Sequence, residues 1–303
     1  MSPTREHFSA KGPVGSAMGG AKHPFSMDVE FHDELTPPQR QAFRDAVGRW
    51  LNIIVGGGPP VEAGGETIES LLVLAKCKKL PDREGGLSAN TDLDLSALRG
   101  PAAGPTAGLP GKATITLDSA DMEGLEKEET TGGGAQTKDI GRFRVDLIAH
   151  EIGHALGLSR VVWEHKGLLK RNLSTRGPVF TGAAAAKAYG AALHGGPTPV
   201  PLEVFGDREE FIAHWRQAFF HSELMTFILE DRPNLIGPIT VAALQDLGYE
   251  VNPAGAETDE VDFTGEAPVK PEAPVKPKVE KPKYSVSNVL RNQRWLNCRV
   301  HAK

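Results

Sequence analysis

The stretch His150-Glu151-Ile152-Gly153-His154-Ala155-Leu156-Gly157-Leu158 constrains the fold more than any other part of the chain. Residues four apart on an α-helix share a face, so His150 and His154 can turn ring nitrogens toward one metal ion. Glu151 is rotated to the side, where it reaches a water held by that ion and can take its proton without being a ligand. Val145, Ile148, Ala149, Ile152, Ala155 and Leu156 are apolar. That pattern predicts a helix over about 143–156, wrapped in core, with only the ligand stripe facing a cavity. Asp146 is expected near the start of this helix, where a carboxylate favours the dipole. Gly157 is expected to stop the helix or turn the chain sharply. The alternative is a buried helix with two satisfied core histidines.

Such a helix needs a core around it, and 303 residues supply one large or two small domains. The net charge of −5 is mildly acidic and gives no argument for nucleic acid as a partner. No apolar run has the length of a bilayer crossing. The opening Met1-Ser2-Pro3-Thr4-Arg5-Glu6-His7-Phe8 has no apolar h-region, so no secretory signal is read there. The expected compartment is the cytoplasm, or the exterior by a non-classical route. Cys77 and Cys298 are far apart in sequence and form no disulfide framework. Cys77 lies among apolar residues and is expected to be a buried small hydrophobe.

Four segments are expected. Residues 1–24, rich in Gly, Ser, Pro and Lys, read as a flexible arm. Residues 25–157 read as an N-terminal lobe ending in the metal helix. It opens with a strand through Met27, Val29 and Phe31. A helix follows with Thr36 as N-cap, Pro37 at N1, Gln39 closing a capping box, and Phe43, Val47, Trp50, Leu51 and Ile54 at helical spacing. Strands are expected at 67–76 and 113–117, with loop over 81–112, a short helix after Asp118 and a mobile loop at Gly132-Gly133-Gly134. The strand 113–117 is a candidate edge on which an extended substrate could pair. Residues 158–254 read as a second lobe, with helices from Thr181 to Leu193, from Asp207, and from Pro238 to a stop at Gly248. From 255 to 303 the composition shifts to a Pro/Lys-rich tract, with Glu-Ala-Pro-Val-Lys-Pro twice, read as a disordered tail or a docking segment for a partner or surface.

Zinc catalysis usually takes three protein ligands and leaves one position open. The compact pattern H-E-x-x-H-x-x-G-x-x-H finds its glycine at Gly157 but Arg160 where the third His should stand. The candidates further along are His165, His194, His214 and His221, or a carboxylate among Glu203, Glu209, Glu210 and Glu223. His7, His23, His32 and His301 lie in arms or at strand ends and read as ordinary histidines.

His214 is followed by Trp215, and Glu223-Leu224-Met225 places a methionine eleven residues beyond His214. With Thr36-Pro37-Pro38-Gln39-Arg40-Gln41-Ala42-Phe43, Trp50, Asp118-Ser119-Ala120-Asp121, Val200-Pro201-Leu202-Glu203 and the run Ile239 to Tyr249, the chain resembles the leishmanolysin (major surface protease) family. The likeness is to its bacterial leishmanolysin-like members and covers roughly 25–252. In that family a long insertion separates the glycine from the third His, and a Met-turn follows.

The resemblance implies an α+β metzincin-like zinc metalloprotease. Its N-terminal lobe would hold a twisted mixed sheet and the active-site helix, and its C-terminal lobe would be mostly helical or irregular. It implies His150, His154 and His214 as ligands of one catalytic Zn2+, Glu151 as general base, and Met225 as a packing floor beneath the metal. The implied activity is endopeptidase cleavage of protein or peptide substrates. The eukaryotic members carry many disulfides and a signal peptide, and neither is read here. The alternative is a non-catalytic zinc-stabilised binding module whose Pro/Lys-rich tail engages a partner.

Overall fold

A computed structural model describes residues 6–12, 23–32, 34–80, 89–131, 134–172, 177–204, 212–230, 232–258, 294–295 and 299–302. It is an α+β structure built on a mixed sheet. The first half contains β1 (Glu6–Lys11), β2 (Ser26–Phe31), α1 (Pro37–Leu51), β3 (Ile54–Gly56), β4 (Val61–Ala63), β5 (Glu66–Ile68), β6 (Leu71–Lys78), β7 (Ala89–Leu93), β8 (Lys112–Asp118), α2 (Ser119–Thr131) and α3 (Gly134–Ala155). The second contains α4 (Arg160–His165), β9 (Leu169–Asn172), β10 (Gly177–Phe180), α5 (Ala183–Ala192), β11 (Val200–Pro201), α6 (Gln217–Phe220), β12 (Ile228–Leu229), α7 (Pro238–Leu247) and β13 (Glu250–Val251). Two further strands, β14 (Arg294–Trp295) and β15 (Arg299–Ala302), follow near the C-terminus.

The main sheet runs β1-β2-β6-β8-β7-β15. β2, β6 and β8 are parallel neighbours, while β1 runs antiparallel to β2 and β7 antiparallel to β8. β6 reads Leu71-Leu72-Val73-Leu74-Ala75 and is almost continuously buried, as a central strand covered on both faces should be. Met27, Val29 and Phe31 of β2 point one way into the core with no exposed surface. They meet Phe43, Ala46, Val47 and Trp50 of α1, which are equally buried and fall at helical spacing. α1 starts where its sequence says: Gln39 Oε1 accepts the Thr36 N–H at 3.2 Å. The Thr36 hydroxyl serves a longer connection, donating to Glu126 Oε1 of α2 at 2.6 Å.

α1 and α3 pack side by side over the sheet. The contact is keyed by Trp50, whose indole N–H donates to the Ala149 carbonyl at 2.9 Å, one residue before His150. Behind α3 the chain turns at Gly157, whose φ of 103° suits glycine. Ser159 then caps α4, accepting the Val162 N–H. An aromatic cluster holds the second half together. Trp163 stacks on Trp215 at 5.4 Å between centroids, and Phe180 meets both edge-on. Asp246 of α7 caps α5, its two oxygens each accepting a backbone N–H, from Ala184 and Ala185, at 2.9 Å. Gly248, at φ 109°, ends α7.

Five expectations change. Strand 113–117 is no edge: β8 is hydrogen-bonded to β6 on one side and β7 on the other, so a substrate cannot pair there. The neighbour that closes it, β7, lies within the expected loop over 81–112. Ala89, Asn90 and Asp92 are poor strand formers, and the pairing with β8 imposes the conformation. The arm 1–24 includes β1, whose Phe8 and Ala10 pack on the core while Glu6 binds Arg40 and Arg44. α3 begins at Gly134, so Asp146 sits mid-helix as a buried ion-pair partner rather than beside the helix start. In the tail, residues 259–293 lie outside the described residues, whereas β14 pairs with β12 and β15 pairs in parallel with β7. The helix expected from Asp207 and the glycines 132–133 also fall outside the described residues. Among the described residues no helix is long and apolar enough to cross a membrane.

Cys77 is a buried free thiol on β6, pushed up to about 11 by burial and then by the carboxylates of Glu126, Asp118 and Glu34. A raised thiol pKa leaves little thiolate at pH 8, so Cys77 in the native protein should resist iodoacetamide and label only on unfolding, as mapped by mass spectrometry. Trp50→Ala should cost about 3–5 kcal/mol of stability in urea denaturation of the metal-free protein. A loss below about 1 kcal/mol would show that Trp50 is not the seat of α3.

Candidate metal centre

The last turns of α3 carry His150, Glu151 and His154, all without exposed surface. His214 reaches them from the strand-like segment that precedes α6, equally buried. The three Nε2 atoms form a near-equilateral triangle: 3.0 Å from His150 to His154, 3.2 Å from His154 to His214, and 3.2 Å from His214 to His150. Among the described residues this is the group of His, Cys, Asp or Glu whose ligand atoms converge, all within 4.8 Å of one another.

The outer nitrogens decide what the inner ones can do. His150 Nδ1 lies 2.6 Å from the Leu224 carbonyl, and His154 Nδ1 lies 2.6 Å from the Leu158 carbonyl. A carbonyl only accepts, so each Nδ1 carries the proton and, in a neutral ring, each Nε2 presents a lone pair. The rings are neutral because burial pushes His150 down to about 4 and His154 well below its usual value, the latter also through its two histidine neighbours. Two lone pairs facing each other at 3.0 Å repel and cannot share a hydrogen. A cation at the centre of the triangle removes that conflict. Tetrahedral zinc with Zn–N bonds of about 2.0–2.1 Å spaces its nitrogens about 3.3–3.4 Å apart, close to what is found. The donor set therefore fits zinc.

His214 is held by its surroundings rather than by a helix. Its carbonyl accepts the Glu203 N–H at 2.9 Å, and the next residue, Trp215, donates its N–H to the Met225 carbonyl at 2.9 Å. Phe227 meets the His214 ring edge-on. Met225 lies under α3 at Gly153, so closely that a Cβ at 153 would come within 2.4 Å of its sulfur. Only a glycine lets helix and turn approach this far.

The Glu151 carboxylate is positioned from the sheet. Thr91 of β7 lies with its hydroxyl 2.5 Å from Glu151 Oε2 and 3.1 Å from the Glu151 carbonyl. Sequence reading missed Thr91, since a lone threonine in a polar run carries no signal of its own. It became visible only through the register of β7 against β8, which turns Ala89, Thr91 and Leu93 inward. One turn before His150, Asp146 receives Arg49 at 2.7 Å and both the backbone and side-chain N–H groups of Asn234. Burial raises the Asp146 carboxyl, opposed by Arg49 and Asn234.

The other candidates lie elsewhere. His165 sits against Gly108, His194 follows α5 at φ 54°, and His221 ends α6 with Nδ1 3.8 Å from Glu230. Glu203 accepts the Gln217 N–H, and the Glu223 carboxylate is bonded to Met225 in its own turn and to Gly237 and Thr240 at the start of α7. Glu209 and Glu210 lie outside the described residues.

Residues 134–260 match the leishmanolysin peptidase family (Peptidase M8). The matched stretch starts at the first residue of α3 and takes in Glu151, the three histidines and Met225, while the sheet strands β1 to β8 lie before it. No curated protein matches the chain. The family match, with three buried imidazoles arranged to hold a metal ion, supports a leishmanolysin-like metallopeptidase assignment for this part of the chain.

Proposed function

We propose that this chain is a zinc-dependent endopeptidase of the metzincin type, with His150, His154 and His214 as ligands of one zinc ion and Glu151 as general base. The observation that carries the reading is the convergence of three Nε2 atoms, two of them fixed as lone-pair donors, with a carboxylate on the same helix. Zinc held there would supply Lewis acidity, lowering the pKa of a coordinated water and polarising a peptide carbonyl.

The remaining work falls to the chain's own residues. Glu151 takes the proton of the attacking water on its carboxylate and returns it to the leaving amine. The Thr91 hydroxyl fixes one oxygen of that carboxylate, which sets the direction from which the proton is taken. The Leu224 and Leu158 carbonyls keep the two helix imidazoles in one tautomer and one orientation. Met225 is a packing floor: it sits against Gly153, one residue before His154, and gives the metal helix a fixed surface to rest on. The class of substrate is protein or peptide.

Glu151→Gln should keep its zinc and lose cleavage of an unfolded protein such as casein by about 10²–10⁴-fold. Cleavage at the wild-type rate would remove Glu151 from the chemistry. His214→Ala should weaken zinc binding by more than the roughly 10–100-fold typical of a residue behind the ligands. Unchanged zinc stoichiometry and affinity would hand the third position to a carboxylate.

A further inference from the structure

Glu223 has no exposed path to solvent and none of its hydrogen bonds goes to a histidine, yet it lies at the junction of the two segments that meet the zinc helix. Its Oε2 accepts the Met225 N–H at 2.7 Å. Its Oε1 accepts the Gly237 N–H at 3.2 Å and the Thr240 hydroxyl. The Thr240 oxygen in turn accepts the Trp215 indole N–H at 2.7 Å. Trp215 closes the circuit by donating its backbone N–H to the Met225 carbonyl. The ring therefore runs Glu223, Thr240, Trp215, Met225 and back to Glu223. Two ligands hang from it: His214 directly precedes Trp215, and the Leu224 carbonyl that orients His150 lies between Glu223 and Met225.

We infer that Glu223 is a positioning residue for the metal centre, setting where His214 and the Leu224 carbonyl stand through one closed hydrogen-bond ring. The inference rests on the zinc-centre reading above. Three features argue for it over a plain packing role. All of the bonds converge on one carboxylate, which can accept at several lone pairs and needs no donor of its own. That carboxylate sits at the N-terminal end of α7, where the Gly237 N–H and the helix dipole favour an anion. Burial pushes the Glu223 carboxyl up to about 7, so the site carries a desolvation cost that a neutral, apolar residue would avoid. A buried ionisable group kept at such a cost is retained for what it orients. Glu223 is thereby distinguished from the metal ligand that its place in the sequence also allowed, since both its oxygens are turned to Met225, Gly237 and Thr240.

Glu223→Gln tests this without changing shape. An amide offers one oxygen and one NH2, so a donor must face either the Met225 N–H or the Thr240 hydroxyl. Thr240→Val cuts the same ring at a second point and guards against a Glu223 variant that fails to fold. Zinc affinity is measured on the full chain by competition with a chromophoric chelator, and the visible spectrum of the cobalt-substituted protein reports ligand geometry. Both variants should bind zinc about 10–100-fold more weakly, with an altered cobalt spectrum. The double variant should lose no more than the larger single effect, because both cut one ring. A core variant away from the ring, Phe43→Leu, should lose stability and keep zinc affinity and the cobalt spectrum. Wild-type zinc affinity and spectrum in Glu223→Gln and Thr240→Val would overturn the positioning role. A wild-type protein that binds no zinc would instead overturn the metal-centre reading itself.

Discussion

Three buried imidazole nitrogens converge on one point, two of them with lone pairs turned inward, and the rest of the structure is arranged to hold them there. No local rule brings them there. His150 and His154 are paired by one helical turn, but His214 comes from 60 residues past His154 and has to be delivered by tertiary structure. The protein answers with bonds behind the two helix rings and along the backbone around His214. Carbonyls from Leu224 and Leu158 fix the helix histidines, and backbone bonds from Glu203 and to Met225 fix the segment of His214 and Trp215. The rings are thus held by backbone that is itself anchored, which keeps the cluster in ligand geometry.

The anchoring depends on apolar packing against α3. Trp50 bonds the Ala149 carbonyl and, with Met225, packs at Gly153. The stacked pair of Trp163 and Trp215 supports the segment that holds His214. Arg49 adds polar links, reaching Asp146 on α3, Glu257 beyond α7 and the Asn234 carbonyl. Buried ion pairs of this kind contribute less to net stability than they cost to break. Their value here is register, because they fix how far along its axis α3 can slide.

Much of this was legible in the residues. The four-residue spacing of His150 and His154, the apolar wrap of α3, the Thr36-Pro37-Pro38-Gln39 helix start and the Pro238 to Gly248 helix all read directly, because each is a local pattern with a local cause. His214 was singled out by the resemblance carried by Trp215 and Met225, and its ring is found in the cluster. What stayed hidden is what pairing and packing impose. β7 is made a strand by β8, β1 by β2, and Thr91 becomes a partner of Glu151 only when the sheet sets the register. Asp146 differs for the same reason: the helix starts well upstream, at Gly134, in a stretch with no strong apolar period, and neighbouring α2 and α1 supply the support. Glu223 is a possible metal ligand by residue type alone, and its hydrogen bonds turn both oxygens to Met225, Gly237 and Thr240 instead.

The outer strand of the main sheet on the side of α3 has a consequence for access. β7 carries Thr91 against Glu151 and is bordered by β15, running parallel to it from Arg299 to Ala302. The row of main-chain donors and acceptors that β7 would offer to an extended polypeptide is therefore already taken by the same chain. Any incoming peptide that adds to this rim must first evict the C-terminal strand, so the two are rivals for one berth.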